Sequence, residues 1–284
     1  MVPLTVTVTD GSGKFVRGLI ESDFTVYEDG IKQPLAFFAS TDVPVDVAMV
    51  IDTSASMRDD LPLVEAAALG LVRALGPADR GAVVEVNERA RIAQPFTSER
   101  AQIEYAIQHL STAGSTALYD GLYVVLREFE RERRNAPQVR RQTLVLLSDG
   151  LDNKSHLSFD DVMDAARRAD VSVYVIALRG EDARVPRSQL AGAVLNAEYA
   201  MNTVARDSGG RVFNPKNATE LPSIYGAIAQ ELASQYQLGY TPMRPAGDGV
   251  FRRVAVRVAE GQNVRARTRA GYYASKTTAA VFPR

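Results

Sequence analysis

The two ends of the chain share one pattern of apolar and polar residues, the alternation typical of half-buried strands. Between residues 4 and 8, leucine and valines alternate with threonines, and between 254 and 258 valines alternate with polar or small residues. A further apolar run at 24–27 meets Asp29-Gly30, a pair that favours a tight β-hairpin. Both ends are therefore predicted to be β structure.

From about residue 44 the pattern changes to strands that alternate with helices. The run at 47–51 is short and wholly apolar, as expected for a parallel strand covered on both faces. Similar strands are predicted at 82–86, 143–147, 171–176 and 211–213. Apolar residues at helical spacing predict helices at 61–75, 103–110 and 118–129. Ser158 and Asp161 form a capping-box pattern that predicts a helix at 158–169, and further helices are predicted at 199–207 and 221–234. This order predicts an α/β fold with a mostly parallel central sheet and helices on both faces.

The β-rich ends are predicted to meet in one accessory unit, resembling a β-sandwich, because domain termini often lie close together. Two separate pieces of about three strands each are the alternative, and each would be marginal by itself. The resulting division is 1–41 for the first part of the accessory unit, 42–234 for the α/β domain and 235–284 for the second part.

The composition of the chain excludes several classes of function. The 284 residues include 33 basic and 34 acidic side chains, a balance of −1 that excludes a generally basic nucleic-acid binder. The absence of cysteine excludes disulfides, thiolate zinc, iron–sulfur centres and a cysteine nucleophile. Only His109 and His156 are available for histidine chemistry. We therefore expect a protein that is not an enzyme and that does not bind nucleic acid.

Oxygen-bearing side chains follow the predicted strands and gather at one sheet edge. Asp52, Ser54 and Ser56 come directly after the first apolar strand, Thr116 precedes a helix, and Asp149 comes after the strand at 143–147. In an open α/β sheet, ligands bind beyond the carboxyl ends of the strands. Carboxylates and hydroxyls without nitrogen or sulfur suit Mg²⁺, Mn²⁺ or Ca²⁺.

These motifs resemble the metal-ion-dependent adhesion site of von Willebrand factor A domains. The wider chain is similar to bacterial von Willebrand factor A-related proteins of the Acidobacterial type, through DFTVYEDG, GSTALYDGL, LVLLSDGLDN, VYVIAL, SQYQLGY and GYYA. The resemblance implies a Rossmann-like von Willebrand factor A fold. It also implies export to the periplasm, cell surface or exterior. The segment at 1–10 reads as a strand rather than as a signal peptide, so a cytoplasmic location is the alternative.

The resemblance implies a role for each site residue. Ser54 and Ser56 would bind the ion directly, Asp52 and Asp149 directly or through water, and Thr116 in a ligand-competent state. The ion, Mg²⁺ or else Mn²⁺ or Ca²⁺, would keep an open position for an Asp or Glu carboxylate of a partner protein. Alanine 55 stands where the family commonly has glycine, a departure that leaves the ligands in place.

Several of these residues also have simpler structural interpretations. Asp52 and Ser54 could cap the following helix, and Asp120 is interpreted as a helix first-turn charge rather than a ligand. Ser148 and Gly150 are interpreted as turn residues, and 152–155 as an ordinary polar loop. A solvated β face, rather than a nucleic-acid surface, is expected for the arginines at 252, 253, 257, 265, 267 and 269.

Three functions remain. The first is a metal-dependent protein-binding, adhesion or assembly module. The alternative is a structural scaffold of the cell envelope with a vestigial metal site. A metal-dependent hydrolase is the least favoured, because Asp52 has no second carboxylate two residues later and no general base is evident. No apolar run reaches the roughly 18 residues that a membrane span needs.

Overall fold

The structure, a computed structural model, describes residues 1–40, 43–135, 139–148, 152–178, 198–244, 247–259 and 263–274. The strands are β1 (Val2–Asp10), β2 (Phe24–Glu28), β3 (Ile31–Gln33), β4 (Leu35–Ser40), β5 (Val45–Asp52), β6 (Arg80–Val86), β7 (Ala90–Thr97), β8 (Arg141–Ser148), β9 (Val171–Ala177), β10 (Val212–Phe213), β11 (Tyr236–Tyr240), β12 (Phe251–Val258), β13 (Val264–Arg267) and β14 (Gly271–Tyr273). The helices are α1 (Leu61–Ala74), α2 (Arg100–Gln108), α3 (Leu118–Asn135), α4 (Phe159–Arg168), α5, described over 198–207, and α6 (Leu221–Leu232).

The central sheet has the order β10-β9-β8-β5-β6-β7 and is parallel except for β7. Each of its two faces is covered by helices that bury a separate apolar core. One core joins α1, α2 and α6 to the sheet, and the other joins α3, α4 and α5. The predicted mostly parallel sheet with helices on both faces is therefore confirmed.

Strand β7 was not predicted from the sequence. It runs antiparallel to β6 at the edge of the sheet, with two irregularities in its register. Its residues are half-buried or exposed, and Pro95 and Gln94 interrupt any alternation of apolar and polar positions. The local pattern is weak because an edge strand contacts the core on little of its surface.

The two chain ends form two further sheets, with the orders β13-β1-β11-β4 and β14-β12-β2-β3. Each sheet combines strands from both ends, since β1 pairs with β11 and β2 pairs with β12. Apolar residues from the two sheets share one core, which includes Leu4, Val26, Leu238 and Val254. The expected sandwich-like unit built from both chain ends is thus present, while the boundaries at 41/42 and 234/235 stay predictions.

The hairpin that Asp29-Gly30 predicts joins β2 to β3. Asp29 has a φ of +48° and Gly30 a φ of +82°, the left-handed backbone that a two-residue turn of this hand requires. The strand that starts at Leu35 lies in the other sheet, where it pairs with β11. The short segment between Gln33 and Leu35 therefore carries the chain from one sheet of the sandwich to the other.

The expectation of a solvated arginine face on the C-terminal strands is wrong for three of its six members. Arg252 is 2% exposed and pairs with Glu28 and Asp248. Arg267 pairs with the buried Glu231, and Arg269 pairs with Asp170. These guanidinium groups lie inside the sandwich or between it and the α/β domain, where the sequence alone offers no sign of their acidic partners.

Candidate metal centre

Asp52 ends β5 at the carboxyl edge of the central sheet, where the sequence placed it. The residue is fully buried, and each carboxylate oxygen accepts a hydrogen bond. The Ser54 backbone N–H donates to Oδ1 at 2.9 Å, and the Ser148 hydroxyl donates to Oδ2 at 2.7 Å. A carboxylate held by two donors in this way has a fixed orientation.

Ser54 and Ser56 bring their hydroxyl groups together. Their Oγ atoms are 3.0 Å apart, with Ser54 buried and Ser56 exposed. Two neighbouring ligands of an octahedral Mg²⁺ with bonds of 2.0–2.1 Å lie about 2.9 Å from each other. The spacing of the two hydroxyls therefore fits adjacent positions around one small cation.

A single 3-10 turn, Ala55–Met57, shapes this loop. Ser54 lies at its N-terminal cap position in an extended backbone conformation, and its side chain makes no capping hydrogen bond. Met57, the last residue of the turn, is buried in the apolar core that also contains residues of α1 and α2, and this packing holds the turn in place. The alternative that Asp52 and Ser54 merely cap α1 is not supported, since that helix begins only at Leu61.

Backbone hydrogen bonds join this first loop to the segment that precedes α3. The Ala113 N–H donates to the Thr53 carbonyl at 2.9 Å, and the Ala55 N–H donates to the Gly114 carbonyl at 3.1 Å. Gly114 has a φ of +56°, a conformation that favours glycine. The second loop is thereby held beside the serine pair and leads directly to the buried Thr116.

Asn153 fixes the position of Thr116. Its side-chain carbonyl accepts the Thr116 N–H at 3.0 Å, and its own N–H donates to the Thr116 carbonyl at 3.1 Å. The interpretation of 152–155 as an ordinary polar loop is therefore wrong. The sequence shows only a polar cluster there, and the pairing spans 37 residues, so no local pattern could have revealed it.

Asp149, the fifth predicted ligand, lies outside the described residues. Its neighbour Ser148 ends β8 and is fully buried, with its hydroxyl on Asp52. Ser148 was interpreted as a turn residue, and this interpretation is wrong. It ties the ends of two adjacent parallel strands together at the candidate site.

A buried glutamate supports both loops from the neighbouring strand. Glu85 Oε1 accepts the Ser111 N–H at 3.0 Å and lies 3.4 Å from the Thr53 hydroxyl. Its Oε2 atom pairs with Arg91, which donates from Nη2 at 2.5 Å. The charge of Glu85 is thus balanced by an arginine, and its oxygens organise backbone and hydroxyl groups.

Asp120 has a structural role, in agreement with its interpretation as a helix first-turn charge. Its carboxylate accepts the backbone N–H groups of His156 and Leu157 and lies 3.0 Å from the His156 ring. Burial raises the pKa of Asp120, but these hydrogen bonds outweigh it and lower the pKa overall. The residue caps the turn at 155–157, which follows Asn153.

The residues present fit a hard divalent cation. Asp52, Ser54, Ser56 and Thr116 offer only oxygen ligands, from loops that hydrogen bonds hold together. Within the described ranges, no group of three or more histidine, cysteine or acidic residues could bind a metal. A zinc-type site therefore has no support in that part of the chain, whereas a site with one or two carboxylates and several hydroxyls remains compatible with it.

Helices of the described residues lack the length and apolarity that a membrane-crossing helix requires.

Comparisons with known proteins agree with this fold. A curated relative, uncharacterized protein sll0103 from Synechocystis sp., is 35% identical over 112 residues, which make up 38% of this chain and 26% of that protein. The match thus spans about a quarter of the relative's length.

Two solved structures are similar in fold. A von Willebrand factor type A protein from Catenulispora acidiphila has a TM-score of 0.56 at 14% identity and covers 90% of this chain and 74% of its own. The vWF domain of the type V pili tip protein Mfa5 from Porphyromonas gingivalis has a TM-score of 0.51 at 16% identity and covers 66% of this chain and 94% of its own. At these identities the likeness is one of fold alone.

The family model is the most specific comparison. The model described as von Willebrand factor type A domain matches residues 46–227, more than half of the chain and all of the central sheet except the first residue of β5. By this match the chain belongs to the von Willebrand factor type A domain family.

Proposed function

We propose that this chain is a metal-dependent protein-binding module that captures an acidic side chain of a partner. Von Willebrand factor type A domains are commonly adhesion or protein-interaction modules. The observation that carries the proposal is the pair of serine hydroxyls 3.0 Å apart beside the buried, hydrogen-bonded Asp52. Thr116 and Asp149 complete the proposed ligand set.

Each residue of the site has a distinct part in this proposal. Ser54 and Ser56 would hold the cation, and Thr116 would join them when a partner binds. Asp52 would supply negative charge to the cation, and its carboxylate is held in one orientation by the Ser54 N–H and the Ser148 hydroxyl. The bound ion would supply a positive charge and a coordination position that a carboxylate can fill.

The surrounding backbone also favours an incoming carboxylate. Helix α3 starts at Leu118, two residues after Thr116, and is 18 residues long. The N-terminus of such a helix attracts anions through its unpaired N–H groups and its dipole. A partner carboxylate at Thr116 would therefore meet a favourable field as well as the cation.

Binding without turnover is the better account of this site. Glu85, the nearest buried carboxylate in the neighbouring strand, is paired with Arg91 and hydrogen-bonded to backbone, so it is poorly placed as a general base. His156 is engaged with Asp120, and His109 follows the end of α2. We accordingly propose no catalytic residue.

We further propose a role at the cell surface or outside the cell. The fold is shared with the vWF domain of Mfa5, a type V pili tip protein. The sandwich attached to the α/β domain would then display the metal edge, which lies at the carboxyl ends of β5 and β8.

Metal binding is tested first, by titrating Mg²⁺ and Mn²⁺ into the chain in a calorimeter. We expect saturable binding by the wild type and loss of at least tenfold in affinity for the double variant Ser54→Ala/Ser56→Ala and for Asp52→Asn. The matched control is Asp59→Asn, which removes one exposed carboxylate shortly after the same loop. Equal affinity in all four proteins would overturn the metal site, and a wild type that binds no ion would favour the scaffold alternative.

Partner capture is tested with displayed peptides that carry one variable position in an uncharged sequence. In Mg²⁺ we expect enrichment of Asp and Glu at that position and release by EDTA. The Asp52→Asn variant should enrich neither residue, whereas Asp59→Asn should match the wild type. Enrichment of uncharged residues, or retention in EDTA, would contradict capture through the cation.

A further inference from the structure

A cleft in the molecule shares no lining residue with the candidate metal centre. It is a cleft of about 540 Å³ between the α/β domain and the two C-terminal strands β12 and β13. One wall comes from α5 and from residues 210–212, and the other from residues 254–256 and 266–270. We name it the edge cleft.

The sandwich wall of the edge cleft is made of strand edges. Ala266 and Arg267 of β13, the segment 268–270 that follows this strand, and residues 254–256 of β12 line it, so both alternating side-chain directions are represented. Consecutive residues line a cleft when the edge of the strand, rather than one face, borders it. Among the described residues, β13 is the outermost strand of its sheet and pairs with β1 alone. Every second residue of an edge strand directs its N–H and C=O away from its partner.

Arginines border the cleft on both walls. Arg267 and Arg269 on the sandwich side are neutralised by Glu231 and Asp170. On the domain side, Arg206 and Arg167 share one carboxylate, that of Asp207, among the residues that the structure describes.

Arg211 adds further positive charge on that side. It stacks over the Phe213 ring at 4.4 Å and has no ion pair among the described residues. The cleft thus carries more positive than negative charge, and a guanidinium group that stacks on a ring can still donate hydrogen bonds from its N–H edges.

Within the described ranges, two polar atoms of the sandwich wall have no hydrogen-bond partner. They are the Thr268 hydroxyl oxygen and the Arg269 Nε atom, both buried. Buried polar groups are nearly always paired in native proteins. A polar ligand that entered the cleft would offer a partner to the Thr268 hydroxyl after a rotation of its side chain.

We propose that the edge cleft binds an extended acidic segment of a partner protein, which adds to the open edge of β13 as a further strand. Backbone groups of the segment pair with β13, and its carboxylates meet Arg206 and Arg211. A strand that covers the four residues of β13 extends about 13 Å. Specificity comes from alternate side chains, as in other cases of strand addition.

Charge complementarity and the strand edge together favour a protein segment over a nucleic acid. Single-stranded nucleic acids bind by stacking bases on open aromatic faces. No aromatic residue is among those that line the cleft in the described part of the chain, and Phe213, next to Val212 of the domain wall, already has Arg211 over one of its faces. The N–H and C=O groups of a strand edge, in contrast, pair best with the backbone of another extended protein segment.

The test uses a fluorescent peptide with the sequence Glu-Val repeated four times and the whole chain. We expect binding that weakens as salt rises, and a loss of at least tenfold in affinity for Arg206→Glu/Arg211→Glu. Arg73→Glu is the matched control, because Arg73 lies 72% exposed on α1 away from the cleft, and it should bind as the wild type does. Hydrogen exchange should slow at the amides of 264–267 when the peptide is bound.

Further arms separate this proposal from its alternatives. A Glu-Pro repeat of the same length carries the same charge, but its prolines lack N–H groups and hold φ near −65°, which disfavours the extended backbone of a paired strand, so it should bind at least tenfold more weakly. Equal binding of the two peptides, no protection at β13, or tighter binding of single-stranded DNA than of the Glu-Val peptide would overturn the proposal. Binding that persists in EDTA and in Asp52→Asn would distinguish the edge cleft from the metal edge, so that either site can fail independently.

Discussion

Ser148 donates a hydrogen bond of 2.7 Å to Asp52 across the carboxyl ends of two adjacent strands, β8 and β5. Both residues are fully buried. The bond orients the Asp52 carboxylate through protein groups alone, since Ser54 N–H holds the other oxygen. The candidate site is therefore preorganised by its own chain.

Replacing Ser148 by alanine should lower both the stability of the protein and its affinity for Mg²⁺, because Asp52 loses the hydrogen bond from the Ser148 hydroxyl. A hydrogen bond to a charged group contributes about 1.5–3 kcal/mol, and we expect a loss of stability of that order. Partners that orient metal-binding side chains typically change affinity by about 10–100-fold, so Mg²⁺ affinity should fall by at least tenfold. Urea unfolding and calorimetry measure the two effects. Ser172 is a buried serine near the start of β9, at the opposite end of the strands from the candidate site, so Ser172→Ala should leave Mg²⁺ affinity unchanged. An equal effect of the two variants on Mg²⁺ affinity would argue against the role of Ser148.

Glu231 should prove to be a major link between the two parts of the molecule. Its Oε1 atom accepts the hydroxyl groups of Tyr174 and Thr7, and it pairs with Arg267. Breaking a buried pair by removing one partner costs about 3–5 kcal/mol, which is the loss of stability expected for Glu231→Ala.

The free energy of unfolding in urea, measured for Glu231→Ala, Glu231→Gln and Glu104→Ala, tests this role of Glu231. Glu231→Gln keeps the hydroxyl contacts and should lose less than the alanine variant. Glu104→Ala on α2 removes a half-exposed carboxylate 4.0 Å from Arg73 and should change stability by no more than about 0.5 kcal/mol. Similar stabilities for Glu231→Ala and Glu104→Ala would contradict this assignment.

Two glycine-to-alanine changes should act in opposite directions. A Cβ at Gly210 would lie 1.8 Å from the Val173 carbonyl oxygen, a backbone clash that we expect to cost about 3 kcal/mol or more. Gly226 lies in α6 with nothing within 4 Å of its Cβ position, so alanine there should stabilise the protein by about 0.5–1 kcal/mol. Thermal unfolding of the two single variants tests both signs. A stable Gly210→Ala protein would show that β9 lies farther from this turn.

Stability should decline at alkaline pH through the tyrosines that surround Glu28. Burial, together with hydrogen bonding to Glu28, raises the pKa of Tyr272 to about 12 and raises that of Tyr240 further. A tyrosine whose pKa is raised by folding contributes stability that is fully present below its unfolded pKa of about 10. This contribution is lost as pH rises from there toward 12. Urea unfolding between pH 8 and 11.5 should show the decline, and Tyr272→Phe should make it shallower. An identical pH dependence in both proteins would refute the assignment to Tyr272.

Local patterns in the sequence predicted much of the architecture. The alternation at 4–8 predicted a strand whose Leu4, Val6 and Val8 are fully buried. Ser158 and Asp161 predicted the start of α4 and form the capping box there. These features depend on neighbours within a few residues, which is why periodicity and capping chemistry reveal them.

Contacts between residues far apart in the chain could not be predicted from the sequence. Asn153 pairs with Thr116, Ser148 with Asp52 across 96 positions, and Arg252 with Glu28 across 224. Nothing in the composition of a loop or strand tells which remote side chain will face it.

The amino-acid order by itself determined that strands and helices alternate through the middle of the chain, and it placed the oxygen-bearing side chains just after two of those strands. Only the tertiary structure decided that both chain ends share one sandwich, that arginines of β12 and β13 are paired internally, and that an open strand edge borders a positively charged cleft. The physical reason is that periodicity and capping act over a few residues, whereas pairing and burial depend on which distant segments fold against each other.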